Sequence, residues 1–594
     1  MDNNEKLLKL TDEANSYIEK KEFDFCIELL EKEIELVKKN VELLKLYGLA
    51  LINIENEDKA LEIFEKVTQL DTNDATSWFY LASLYDTKNM LLESQYAYEK
   101  VIELREEYVD AHKNLAVVLI KLSEFEKANT HALKALELSS KDDYQIYYIL
   151  ATAAMNNLDY KLVINYLEEA LKYNPTHVQI LNNLGSAYLA INKKRQALSC
   201  YEKAYEIDSE YAMTNYNFGC YYQIQKKFEE SFNYFEKAYT LEPTKNNMHA
   251  LAVAAMHAKK WHQAIQLYTT LLALDPSNIS YHESLAIALI ELEDYSAAIN
   301  SLKILHNATP NDMSIIEKLV DAYLITNQYD RLKSFLAKIL KRGKVSTDFY
   351  YTYAIVCAKT GDYDTAVSIY KKVIQLEPSN YAAHKDLGVI YLMQKLFDWA
   401  EDEFKTAYNL APGHHGMPFE LATFYYQIHK YQEAEPYYEE ALRLLPRDMT
   451  TVLFAGLNYF QLNKIDLAKK YLEKVYKKVQ DDPVLCFTLA RIYFAEKKYE
   501  NARQILYSLN SFNKDAEIIN LLAQIHFELA EYENARDIYK SLFAQNEDSL
   551  NLILNIAKCE IKLNNKDSAL EYLNKYLEIF PDSEEVNDLI WQIS

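Results

Sequence analysis

The sequence holds few side chains whose types and spacing could do covalent or metal chemistry. His414 and His415 adjoin in the stretch APGHHGMP. Two imidazoles can ligate a transition metal, but no Cys or carboxylate cluster lies beside them to complete the ligand set. The six cysteines (Cys26, Cys200, Cys220, Cys357, Cys486 and Cys559) are scattered and form no CxxC pair. Such spacing points to buried thiols in a reducing compartment and away from disulfides or zinc. A phosphate cradle needs glycines, yet the chain has only 9, and neither GxxxxGK[ST] nor GxGxxG occurs. HExxH and GxSxG are missing as well. The expectation is a chain with no enzymatic activity, no cofactor and no metal. The chemistry that does recur is that of the amide, as in the adjacent Asn182 and Asn183 of LNNLGSAYL. An amide offers donors and an acceptor, which suits recognition and not bond making.

The elements that carry these residues are helical. Over 594 residues there are only 9 Gly and 11 Pro, with 49% hydrophobic and 26% charged residues, so little material exists for hairpin turns. A chain of this length exceeds what one compact core can organise, which implies several domains or an elongated array. The net charge of −24 repels phosphate backbones and anionic lipids, so no nucleic acid is expected as a partner. The N-terminal MDNNEKLLKLTDE has neither a basic n-region nor an apolar h-region, and no run of 18 apolar residues occurs. These features predict a cytoplasmic protein with no membrane insertion.

The chain is internally repetitive. LGSAYLAINKKRQALSCYEKAYEIDS is echoed by FGCYYQIQKKFEESFNYFEKAYTLEP 34 residues later and by LGVIYLMQKLFDWAEDEFKTAYNLAP at 387–412. Starts fall at 7, 41, 75, 109, 144, 178, 212, 245, 279, 313, 347, 381, 415, 449, 483, 516 and 550, numbered below as repeats 1 to 17. Position 8 is Ala or Gly in sixteen repeats, and position 20 is Ala, Ser or Cys in fifteen. Position 32 is proline in eight (Pro175, Pro243, Pro276, Pro310, Pro378, Pro412, Pro446 and Pro581). Aromatic residues recur at position 17, as in Phe228, Trp261, Tyr295, Tyr363 and Tyr499. The pattern resembles the tetratricopeptide repeat (TPR) family over nearly the whole chain. The resemblance implies an all-α fold, a right-handed α-solenoid superhelix of about seventeen helix-turn-helix repeats with helices A and B in each, closed by a C-terminal cap helix. In the cap, EEVNDLIWQIS, Val586, Leu589, Ile590 and Ile593 are expected to pack inward, with Glu585, Asp588 and Gln592 outward. His112, His282 and His384 share position 4, where packing aromatics are usual, and are read as core filling.

The TPR resemblance also implies that helix A lines a concave groove through positions 2, 5, 6, 9, 12 and 13. Position 6 holds Asn114, Asn183, Asn217 and Asn555, with Ile149 interrupting the run. An asparagine repeated once per step resembles the ladder in the TPR superhelix of O-linked N-acetylglucosamine transferases, whose amides bond the backbone of an extended peptide. No catalytic domain of that family is present. The implied peptide-binding set is Asn114, Asn182, Asn183, Ser186, Tyr216, Asn217 and His249, with the Asn183 and Asn217 amides expected to point into the groove, unpaired. A lining of uncharged polar and aromatic residues suits backbone recognition more than charge pairing. The carboxylate clamp of TPR co-chaperones is not supplied by any three consecutive repeats, since Val117 and Val389 follow Lys113 and Lys385. Position 12 reads Tyr426, Phe460, Phe494 and Phe527 in successive repeats, a stripe read as inter-repeat packing or, where exposed, as a second surface.

One repeat breaks both small positions, with Val320 and Leu332, and ends in KILKRGKVSTD, which holds Lys338, Lys341, Arg342 and Lys344. Its larger side chains are expected to push the two helices of this repeat apart. The expected organisation is an N-terminal arm over 1–312, an irregular joint over 313–346, a C-terminal arm over 347–583 and the cap helix over 584–594. The function that follows is a non-enzymatic scaffold for protein or peptide partners. The other reading is a substrate-recruiting subunit of an enzyme complex, such as a glycosyltransferase, with its catalytic part on another chain.

Overall fold

Each 34-residue period folds as two antiparallel helices, and the side chains that start and stop them are local. In most repeats the turn leading into helix A supplies an N-cap whose side chain accepts from the first-turn backbone, as Asn40 does from Leu43 N–H, Asp74 from Ser77 N–H and Asp448 from Thr451 N–H. The computed structural model describes residues 3–139, 142–343, 345–411, 413–509, 515–545 and 549–593; Lys344 and Pro412 lie outside these. Among the described residues there are thirty-six helices and no strand. Seventeen repeats give two helices each, and the final helix, Glu584–Ile593, is the cap. The extra one arises in repeat 1, whose second helix breaks at Glu33 into Phe23–Lys32 and Ile34–Val37.

The turn between helices A and B is built the same way in every repeat. Position 15 has a positive φ in all seventeen, from Lys21 (59°) through Leu158 (55°) and Asn192 (62°) to Asn564 (61°). Only Gly361 among them lacks a Cβ, so the other sixteen hold an L-residue in the left-handed region at a steric cost. Closure of the turn across the repeat compensates, with Asn56 N–H bonding Leu51 O at 2.9 Å and Lys193 N–H bonding Tyr188 O at 2.8 Å.

Packing explains the small residues. The side chain at position 24 of helix B lies on position 8 of helix A, so a Cβ added to Gly185 would stand 2.4 Å from the Tyr201 ring, and one on Gly48 2.6 Å from Phe64. Position 20 closes the pair from the other side. Ser94 Oγ–H donates to Ala82 O at 2.8 Å and Ser231 Oγ–H to Gly219 O at 2.9 Å. Between repeats, Tyr at position 11 reaches Glu at position 25 of the preceding helix B, as in Tyr85–Glu65 (2.8 Å), Tyr493–Glu473 (2.6 Å) and Tyr188–Glu168. Trp78, His112 and His282 at position 4 are each tied to the carbonyl six residues earlier, in the turn that precedes the helix, while His384 pairs with Glu403 at 2.6 Å. Trp78 Nε1–H bonds Thr72 O at 3.0 Å, His112 Nε2 bonds Glu106 O at 2.9 Å, and His282 Nε2 bonds Pro276 O at 3.1 Å. The position-4 histidines are therefore buried packing groups with a satisfied polar edge.

The chain divides into two compact units, Met1–Thr326 and Asn327–Ser594. The division falls inside the repeat whose small positions are Val320 and Leu332, both of which are buried. Each unit is an α-solenoid in which helices pack mainly on their neighbours in sequence. Neighbouring A helices also touch one another directly, as Val178–Ala190 touches Ala212–Ile224 in the first unit and Met449–Gln461 touches Pro483–Ala495 in the second. This approach makes the A-helix faces the inner surface of each unit. In the cap, Val586 and Ile593 are buried and Leu589 and Ile590 pack on the last core, while Glu585, Asp588 and Gln592 are exposed.

Candidate functional site: the inner A-helix surface of repeats 5 to 8

Four A helices carry the first unit's candidate residues: Tyr144–Met155, Val178–Ala190, Ala212–Ile224 and Lys245–His257. The first three contain no Asp, Glu, Lys or Arg, and the fourth contains only Lys245. Their B helices are charged as usual, for example Lys194–Ile207 with the sequence KRQALSCYEKAYEI. The neutral strip is thus confined to the inner surface. It presents Tyr148, Thr152, Asn183, Ser186, Tyr216, Cys220, Gln223 and His249, all half-buried.

The amides are not unpaired, which corrects the expectation for them. Asn182 is fully buried in the seam between repeats 6 and 7. Its Nδ2 donates to Val178 O at 3.0 Å and to Thr214 Oγ1 at 2.7 Å, and its Oδ1 accepts from Asn217 Nδ2 at 2.9 Å. Position 5 of one helix faces position 3 of the next, and the low-dielectric seam makes an unmatched amide costly there, so the groups pair with each other. Asn217 is also buried, at 9% exposure. Asn183 donates to Tyr148 OH at 3.1 Å and Asn114 to Tyr98 OH at 3.2 Å, each reaching a tyrosine of the preceding repeat. Asn183 and Asn114 keep their half-buried positions on the inner surface. The residues the sequence does not single out are Thr214, Tyr148 and Tyr98. A signal for Tyr148 exists, since it stands at position 5 of the repeat before Asn183.

The remaining candidates line the strip. Ser186 Oγ–H donates to Asn182 O at 3.0 Å, and its oxygen lies 3.2 Å from Tyr201 OH. The Tyr216 ring meets Phe235 edge-on at 5.2 Å, and His249 lies 5.3 Å from the Tyr281 ring. Burial, with Lys245 adding to it, holds the His249 imidazole below its ordinary range, so it presents as a neutral group near pH 7. Burial raises the Tyr148 phenol, against the hydrogen bond from Asn183 that lowers it. Cys220, beside Tyr216, has its thiol pushed up to about 11 by burial, which suppresses the reactive thiolate. The same holds for Cys26, Cys200 and Cys486, each at about 11. Every group on the strip is neutral, so the surface can hydrogen-bond and stack but not pair ions.

Elsewhere, the His414 ring stacks on His415 at 5.0 Å and lies 5.1 Å from Tyr381, and its Nδ1 accepts from Gly416 N–H. Among the described residues no three His, Cys, Asp or Glu side chains converge as a metal-ligand group, and no helix is long and apolar enough to cross a membrane. In the second unit, Tyr426, Phe494 and Phe527 are half-buried and meet the position-17 aromatics Tyr431, Tyr499 and Tyr532 edge-on at 5.3–5.4 Å. Phe460 is likewise half-buried, packed against the core of this unit.

Family profiles find the same repeat in the sequence. Tetratricopeptide repeat profiles match residues 42–74, 144–177, 178–211, 214–245, 249–311 and 358–414. A profile of intraflagellar transport protein 56 matches residues 418–590. The TPR repeat-containing protein YpiA of Bacillus subtilis (strain 168) is 23% identical over 403 residues, 62% of this chain and 87% of that protein. The BBSome complex member BBS4 of Bos taurus is 21% identical over 299 residues, and the match spans half of each chain. Among solved structures, YrrB, described as a TPR protein with an unusual peptide-binding site, is 24% identical with a TM-score of 0.28. That match covers 34% of this chain and 99% of YrrB. The APC/C hetero-tetramer Cut9–Hcn1 covers 93% of this chain and 96% of its own at 16% identity, with a TM-score of 0.31. With helix pairs at 34-residue spacing and repeat profiles along both units, the chain belongs to the tetratricopeptide repeat family.

Proposed function

We propose that the protein is a non-enzymatic interaction scaffold whose inner surface in repeats 5 to 8 receives an uncharged segment of a partner protein. The observation that carries this reading is the charge-free strip. In a chain with 26% charged residues, the A helices of repeats 5, 6 and 7 contain none. Solubility favours charge on an exposed helix, so its exclusion from one continuous face fits a face that is desolvated on binding. The half-buried tyrosines supply rigid stacking area, and Asn183, Thr152 and Gln223 supply donors and acceptors that do not depend on partner charge. The buried Asn182–Thr214–Asn217 network supports the site by fixing the two helices that carry it, and is not itself a contact surface. Relatives named for the BBSome and for intraflagellar transport fit a role inside a multi-protein assembly. Unpaired buried thiols suit a reducing compartment such as the cytoplasm.

A peptide array probed with the full-length protein tests the reading. Bound peptides are expected to be poor in Asp, Glu, Lys and Arg, and their binding to change little between about 50 and 300 mM salt, because no ion pair is involved. The double variant Thr152→Glu with Gln223→Glu should abolish binding without changing the helical signal. Enrichment of charged peptides, or binding indifferent to both substitutions, would refute it.

A further inference from the structure

The second unit offers an inner surface of different chemistry, and it carries one cation. The A helices of repeats 13, 14 and 15 run Gly416–Gln427, Met449–Gln461 and Pro483–Ala495. Their inner positions include Phe419, Tyr426, Phe454, Phe460 and Phe487, all half-buried and packed on the core beneath. The rings interlock across repeats, with Phe454 edge-on to Phe419 at 5.8 Å and to Tyr426 at 6.1 Å. Arg491 stands on this surface with its guanidinium 5.2 Å from the Phe460 ring and 5.7 Å from Phe487.

Arg491 is exposed, and among the described residues no carboxylate stands within ion-pairing distance of it. Arg503 and Arg536 in the same unit hold carboxylates, Glu500 and Glu531 for the first and Asp537 for the second, whereas among the described residues Arg443 and Arg447, which lie off this face, hold none. With 88 acidic against 64 basic residues, carboxylate partners are plentiful, yet the three helices contribute only Glu420, on the repeat-12 side near Lys385. The guanidinium lies over the Phe460 and Phe487 rings, and its fork of donors is matched by a carboxylate.

We propose that the inner face of repeats 13 to 15 docks a partner polypeptide segment that carries one carboxylate side chain between large apolar side chains. The apolar groups lie against Phe419, Phe454 and Phe487, and the carboxylate takes both arms of Arg491. The lone cation on an aromatic face selects this occupant, since a basic or wholly neutral segment leaves the guanidinium unmatched while covering it. This surface is separate from the neutral strip of the first unit and does not depend on that reading.

The test uses the full chain and capped synthetic peptides of roughly twelve residues, rich in Leu and Phe, with one central Glu, Gln or Lys. In fluorescence anisotropy the Glu peptide is expected to bind about tenfold tighter than the Gln peptide, the scale of one charge-assisted bidentate contact. Arg491→Gln should erase the preference and Arg491→Glu should turn it toward the Lys peptide, with thermal melts unchanged because the side chain is exposed. A Glu peptide that binds no tighter than the others, or a preference that survives Arg491→Gln, overturns the proposal. Self-association of the peptide-free protein that Arg491→Gln abolishes also overturns it, by making the face an interface between copies.

Discussion

Asn182 has its amide fully engaged by Val178, Thr214 and Asn217, so Asn182→Ala leaves a buried hydroxyl and a buried amide without partners. Stability of the surrounding helices should fall by about 1–3 kcal/mol, measured by hydrogen exchange in Val178–Ala190 and Ala212–Ile224. Asn183→Ala breaks one half-buried bond and should cost about 0.5–1 kcal/mol. The recurrence of asparagine was legible in the sequence, but the direction of the amides was not. Positions 5 and 6 straddle the boundary between the inner surface and the A–A seam, and a small rotation of the helix decides which side a side chain takes. A half-buried histidine in repeat 4 gives a second expectation. His131 Nδ1 lies 3.0 Å from His112 Nδ1, and burial, with His112 adding to it, holds the His131 imidazole below its ordinary value of 6.5. A depressed folded-state value means that the neutral form is favoured. The contribution is whole above the unfolded value and is lost as pH falls from there through the lower folded value. The melting temperature should therefore decline from pH 7 to about pH 5, before most carboxylates titrate, and His131→Gln should flatten that decline.

At the scale of the helix pair, the small residue at position 8 is set by the ring at position 24, and the glycines form a graded series. A Cβ on Gly185 meets Tyr201 at 2.4 Å, whereas one on Gly388 meets Phe404 at 3.1 Å. Ala gains about 1 kcal/mol over Gly in a helix interior, against about 1–3 kcal/mol for overpacking. Gly185→Ala should thus destabilise by about 1–2 kcal/mol while Gly388→Ala stays near neutral, as read in denaturant unfolding. Small residues at positions 8 and 20 were visible in the sequence; the side chain that lies on position 8 was not, because Phe, Tyr and Leu interchange at position 24, with Ala132 in repeat 4, and blur the signal. The left-handed residue at position 15 was likewise hidden, since Lys, Glu, Asn, Ser, Leu, Ala and His all fill it and only Gly361 shows the usual mark. Leu158 there is 67% exposed, so Leu158→Gly removes a steric penalty without removing packing. It should raise stability by about 0.5–1 kcal/mol, after the entropy cost of glycine, in the same unfolding measurement.

For the whole chain, packing that runs mainly between neighbours limits how far a defect travels. Hydrogen exchange of Gly185→Ala should accelerate in repeats 5 to 7 and stay unchanged in Met449–Gln461, while uniform acceleration along the chain would contradict nearest-neighbour packing. The helix pairs and the cap were legible because periodicity is repeated many times over. The division between Thr326 and Asn327 falls between the large residues Val320 and Leu332 of a single repeat. The turn geometry at position 15 has a consequence for how such a chain can change length. Each reversal fixes a left-handed residue fourteen places after the start of its repeat, with the small, aromatic and tethering positions counted from the same origin. Inserting one residue into helix A turns every following side chain by about 100° and moves a helix-forming residue into the left-handed slot. Inserting a whole repeat disturbs none of these counts. The chain is therefore quantised: growth and loss that keep every turn intact come in whole repeats of 33 to 35 residues, and gene duplication can extend or trim a recognition surface while each surviving turn keeps its own register.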